Sequence, residues 1–251
     1  MACAGGLLVG MLLLFEAGRR IGLLRLARDP EGVARGSGAV EASVFGLLGL
    51  LLAFTFSGAA SRFEQRRHLI AEEANAISTA YLRVALLPAE TQPALRSLFT
   101  RYLDTRAETY RNAADREFTA ARLADAAALQ DQIWTLAVSA SRRPDASPQA
   151  AMQLIAALNA MFDIVTTRAV AQQDHPPLVI FVLLAALSLI SALLAGYVMC
   201  ATVLRSWFYM IIVATTMSIT FYVILDLEYP RVGMLRIDSA DQTLIELRKT
   251  M

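Results

Sequence analysis

Lysine is all but missing: Lys249 stands alone among 23 basic residues, so the positive charge is carried by arginine. With abundant alanine, this is the imprint of a GC-rich genome and carries no mechanism. Only two cysteines occur, Cys3 and Cys200, each inside an apolar run, which argues against a disulfide framework. The two histidines, His68 and His175, lie far apart, so no cluster with metal-ligand spacing is present. Charge is scarce, at 18% of residues against roughly a quarter in an average soluble domain. The net charge of +1 leaves no basic field to draw nucleic acid. Glycine-rich phosphate loops, HExxH, CxxC and Gly-x-Ser-x-Gly elbows are absent. The expectation is a protein that is not an enzyme, with no catalytic residue, metal or cofactor.

Apolar sequence takes their place, at 56% of residues and a mean hydropathy of +0.48. Leu178 to Leu204 runs without a charge after His175-Pro176-Pro177. At about 1.5 Å per residue it can cross a hydrocarbon core of roughly 30 Å with some tilt. Past Arg205, a second run from Trp207 to Leu225 opens on Trp207, Phe208 and Tyr209 and closes near Tyr222 and Tyr229. Aromatics sit this way at membrane interfaces. Asp226, Glu228 and Pro230 stop the run, and the short connection at Arg205 predicts an antiparallel hairpin.

Val40 to about Ser61 forms another span, with no turn signal after it. Helical periodicity continues through Phe63, Ile70, Ala74, Ile77, Tyr81 and Val84 to Pro88, predicting one long helix that leaves the membrane and enters water. A first span is expected over Ala4 to Leu26. No basic segment precedes it, and Glu16, Arg19 and Arg20 follow where small cleavage-site residues would sit, so it reads as retained. Glu16 can pair with either arginine one turn on.

Between Ala89 and Asp174 three apolar stripes recur: Leu95, Leu98, Tyr102 and Ala113; Phe118, Leu129, Ile133 and Leu136; then Met152, Ile155, Leu158, Phe162 and Val165. Pro93, Arg143-Pro144 and Pro148 punctuate them, and strand alternation is absent. The predicted fold is an all-α membrane protein with four transmembrane helices and a helical soluble domain inserted between the second and third. The second helix is long and continuous with that domain. Residues 1–61 would form the first hairpin, 62–174 the soluble domain, 175–229 the second hairpin and 230–251 a short tail. In that tail Gly233 precedes an alternation at Met234, Leu235 and Ile237. Arginines 25, 28, 35 and 205 in the short loops face Arg62, Arg66, Arg67, Arg168, Arg231 and Arg236 at the other ends. The balance leans towards cytoplasmic short loops by a small margin, leaving the side of the soluble domain open.

The second span carries two stripes. Gly46, Gly49, Ala53, Ser57 and Ala60 make a small-residue face suited to close helix packing in lipid. Glu41, Phe45, Leu48, Leu52 and Thr55 make the other, ending at Arg62. Around an axis these would stack an acidic ring, an apolar constriction and a hydroxyl ring, with Arg62 and Arg66 setting charge at one mouth. The plainer alternative is a face turned to lipid or to other spans. Arg62, Arg66 and Arg67 equally suit anionic headgroups. Glu16, Glu41, Asp226 and Glu228 suit either an ion pathway or pairing with nearby arginines.

Phe45-Gly-Leu-Leu-Gly-Leu-Leu-Leu-Ala-Phe-Thr-Phe-Ser57, Arg62-Phe-Glu-Gln-Arg-Arg67, Glu73-Ala-Asn-Ala-Ile-Ser-Thr-Ala-Tyr-Leu-Arg83 and Leu86-Leu87-Pro88 resemble the bestrophin-like domain family of mostly bacterial membrane proteins. Leu225-Asp-Leu-Glu-Tyr-Pro-Arg-Val-Gly233 is similar to the family's closing motif. True bestrophins are pentameric anion channels with four spans per subunit, the second lining the pore. The resemblance therefore implies a homo-oligomeric ion channel (a pentamer by analogy alone) in the bacterial inner membrane, with lipid and small ions as partners. The acidic run with which bestrophins clasp calcium has no counterpart, since Asp226 and Glu228 are too few, so calcium gating is not implied. The alternative is a non-conducting membrane-anchored sensor or scaffold whose helical domain binds a partner.

Overall fold

The computed structural model describes residues 2–28, 37–111, 115–201, 207–230, 234 and 238–251. Arg35, Ala113, Leu204, Arg205, Arg231, Gly233, Leu235, Arg236 and Ile237, which entered the reading above, lie outside the described residues. Every regular element among the described residues is helical: α1 (Ala2–Leu26), α2 (Ser37–Arg83), α3 (Gln92–Arg111), α4 (Arg116–Ser141), α5 (Pro148–Gln173), α6 (Leu178–Val198), α7 (Trp207–Glu228) and α8 (Asp238–Thr250). Three helical stretches among them are long and apolar enough to cross a membrane, within Gly38–Leu86, Pro148–Val198 and Trp207–Glu228. The chain divides into two compact units. Met1–Ser61 and His175–Glu228 make unit 1; Arg62–Asp174 and Tyr229–Met251 make unit 2.

In unit 1, α1 buries Leu7, Met11, Phe15, Gly18 and Gly22, a stripe at steps of three and four that packs on α6 and α7. α6 answers largely with small residues, burying Ser188, Ser191, Ala192, Ala195 and Gly196. Helix backbones touch there. A Cβ at Gly18 would overlap the Leu193 carbonyl oxygen, and one at Gly196 the Phe15 carbonyl oxygen. At Gly22 a Cβ would stand 2.6 Å from both the Cys200 Sγ and the Tyr197 carbonyl oxygen. Such close approach is how helices gain attraction in lipid, where apolar burial supplies no drive.

Unit 2 has an ordinary aliphatic and aromatic core. Ile70 and Ile77 of α2, with Val84 just past its end, meet Leu95, Phe99 and Tyr102 of α3, Ile133 of α4, Leu154 and Met161 of α5, and Leu244 of α8. The buried face of α5 runs through Leu154, Leu158 and Met161 to Arg168. Of the expected stripe, Leu158 is buried and Ile155 and Phe162 pack against the core from its edge, while Met152 is 74% exposed. The segment after Tyr229 contributes α8, which is fastened by an Arg248 Nε–Asp104 Oδ1 ion pair of 2.7 Å. The Tyr81 hydroxyl donates to the Met251 carbonyl at 3.0 Å.

Asp115 caps α4, its Oδ1 accepting from the backbone N–H groups of Glu117 and Phe118, both at 3.0 Å. Those donors have no partner inside the helix, so Asp115→Ala should cost about 1 kcal/mol. Denaturant unfolding of the purified protein in detergent checks this.

Candidate functional site

α2 presents three kinds of surface. Leu48 and Leu52 are 0% and 8% exposed, and Ala59 is also buried. Glu41, Phe45 and Thr55 beside them are half-buried, the Thr55 hydroxyl donating to the Leu51 carbonyl at 2.7 Å. Gly46, Gly49, Ala53 and Ser57 are exposed, with Ala60 half-buried. Nothing in the described chain lies within 4 Å of a Cβ built on Gly46 or Gly49. A further row, Leu47, Leu50, Phe54, Ser57 and Ser61, advances by threes and fours and is exposed at every position.

Leu48 and Leu52, read above as bordering either an open path or other spans, are covered by the described chain itself. Leu52 and Ile70 are eighteen residues apart on one unbroken helix, five whole turns at roughly 3.6 residues each. They share an azimuth on α2, and each is buried within its own unit. Within the described chain, close helix approach occurs at Gly18, Gly22 and Gly196. Gly18-x-x-x-Gly22 is a legible signal for it.

Arg66 is buried rather than open at a mouth. Its guanidinium donates to the carbonyls of Ala171 (3.0 Å) and Asp174 (2.8 Å), capping the C-terminal end of α5. Acceptors left over by the last helical turn, and the negative end of its dipole, suit a cation there. Arg62 is half-buried and Arg67 pairs with Glu64 at 3.0 Å.

Two turns past Arg66 sits a cluster that spacing did not reveal. Glu73, Arg106 and Arg168, from α2, α3 and α5, are 0%, 0% and 3% exposed. Arg106 Nε donates to Glu73 Oε1 at 2.6 Å, and Arg168 Nη1 donates to Glu73 Oε2. Burial pushes the Glu73 carboxyl up, but the two guanidiniums outweigh it and hold the group below the ordinary carboxylate range. The one sequence signal was a charge falling on each helix's apolar stripe.

Elsewhere, Arg20 Nε pairs with Glu16 Oε1 at 3.0 Å, as i,i+4 spacing predicts. In unit 1 Asp226 and Glu228 are buried, and His175 Nδ1 lies 3.3 Å from Glu228 Oε1. Of the other histidine, Nδ1 of His68 lies 3.3 Å from Glu72 Oε1, both side chains being well exposed.

Three crystal structures of variants of a bacterial bestrophin homologue from Klebsiella pneumoniae resemble this fold over nearly their whole length. A tyrosine-to-alanine variant is 13% identical with a TM-score of 0.65, covering 95% of this chain and 98% of that one. A tryptophan-to-alanine variant is 13% identical with a TM-score of 0.63, covering 96% and 97%. A leucine-to-threonine variant is 14% identical with a TM-score of 0.60, covering 96% and 98%. No curated protein matches the chain. The Bestrophin-like domain family matches residues 36–241, most of the sequence including the whole of α2, and the chain belongs to that family of membrane proteins.

Proposed function

We propose that several copies of this chain assemble into a channel for small ions, with the exposed row of α2 along the axis. The observation that carries this reading is how little of α2 its own chain covers. Only 6% of its most apolar stretch is buried, against 33% and 28% for the two other membrane-length stretches. An α2 that bears on a neighbouring copy on one side and on a water-filled path on the other accounts for both open surfaces. Leu47, Leu50 and Phe54 then form an apolar constriction, which gates by dewetting, and Ser57 and Ser61 form the polar ring beyond it. Gly46, Gly49 and Ala53 face the neighbouring copy, where small residues allow close approach. Leu48 and Leu52 back the constriction from inside each protomer; Glu41 and Arg62 lie towards its two ends. In this reading α1 crosses the bilayer with α2, α6 and α7, residues 62–174 form a domain in water, and the bacterial inner membrane is the site of action.

Phe54→Ala and Leu50→Ala should raise ion flux through reconstituted vesicles several-fold while leaving the folded protein as stable as before. Leu48→Ala should instead cost about 2–5 kcal/mol, as buried leucine truncation does. Flux measured beside detergent unfolding separates the two classes. A monomeric protein with background flux would defeat the channel reading and favour a membrane-anchored scaffold.

A further inference from the structure

We infer that α2 carries a transition-metal site at His68 and Glu72, completed by the same pair from neighbouring copies. The inference rests on the proposed placement of the open row of α2 along the axis. Continuing that row by threes and fours gives Gln65, His68, Glu72, Asn75 and Thr79, all exposed. A helix seam against another protein would place apolar residues at such heptad positions. Here every side chain offers an oxygen or nitrogen lone pair, and none is arginine in a chain rich in arginine. A row of that kind suits a water-filled path.

Within the row, His68 and Glu72 are placed as a chelate. Their Nδ1 and Oε1 atoms stand 3.3 Å apart. Zinc bonds to imidazole nitrogen and carboxylate oxygen at about 2.1 Å, so two ligand atoms at a tetrahedral angle stand about 3.4 Å apart. The ion-pair separation of these two side chains thus matches that bite. One chain supplies only two ligands, and no three metal-binding side chains gather among its described residues. Tetrahedral zinc requires more, and in the proposed ring the next copy's pair would supply the rest. A divalent cation with a taste for imidazole, zinc or nickel, is the chemical class that fits; calcium and magnesium favour all-oxygen sets.

Titration calorimetry with zinc chloride on the purified detergent-solubilised oligomer tests this. The expected result is binding at well under one ion per chain, weakened at least tenfold by His68→Ala and by Glu72→Gln and unaltered by His175→Ala. Binding at one ion per chain, binding unaffected by His68→Ala, or no binding would overturn the inference. A vesicle flux assay with and without zinc separates it from the channel reading. Zinc bound through His68 by a protein without flux would keep the metal site and discard the channel. Flux from a protein that binds no zinc would do the reverse.

Discussion

Glu73→Ala is expected to lower the stability of unit 2 by about 3–5 kcal/mol, because it removes the carboxylate shared by two fully desolvated guanidiniums. Arg106 and Arg168 reach it from different helices, one on each oxygen, so α2, α3 and α5 loosen together. Unfolding in detergent followed by circular dichroism measures the loss; a variant within 0.5 kcal/mol of the parent (roughly the scatter of a surface change) would show that the cluster is energetically idle. The same carboxyl gives a pH dependence whose sign is fixed. Its folded value is depressed, so its contribution is fully present above the unfolded carboxylate value, about 4.3. It is lost as pH falls through the lower folded value. Acid should therefore destabilise the parent more steeply than Glu73→Gln.

Gly196→Ala should have an effect of similar size in unit 1. The added methyl would meet the Phe15 carbonyl oxygen, which belongs to the backbone and has no rotamer to yield. Overpacking of a side-chain core costs typically about 1–3 kcal/mol; a clash between helix backbones should exceed that and appear as loss of extractable folded protein. Gly18→Ala should behave alike, for the same reason at Leu193. The controls are Gly46→Ala and Gly49→Ala, which meet nothing within 4 Å and gain up to about 1 kcal/mol of helix propensity each. If those two leave the protomer folded but dissociate the oligomer, the small-residue face lies between copies. If Gly196→Ala folds normally, the described crossing of α1 and α6 is wrong.

The helical class, the uninterrupted α2 and the family resemblance were legible because each rests on local signals: uncharged runs, absent breakers and a motif in plain order. Phase was harder. The periodicity at Phe63, Ile70 and Tyr81 and the row at Leu48 and Leu52 are one stripe on one helix, but spacing alone leaves the latter open between a path, lipid and other spans. On α5, apolar residues on several faces hide the buried one. Gly18-x-x-x-Gly22 and the Gly46, Gly49 and Ala53 face carry the same small-residue signal, so spacing does not choose between them. The partnership of Glu73 with Arg106 and Arg168 spans 33 and 95 residues, and no single-sequence spacing rule reaches so far.

The buried carboxylate of unit 2 also bears on how its helices find their places. Alanines of α2, α4 and α5 (Ala74, Ala80, Ala126, Ala137, Ala140, Ala157) stand among the large side chains that fill the core. A shift of α3 or α5 by one turn, about 5.4 Å, would carry its arginine beyond reach of Glu73. One acid with an arginine on each oxygen would thus act as an alignment key, adding a charge penalty to the packing cost of any misregistered assembly.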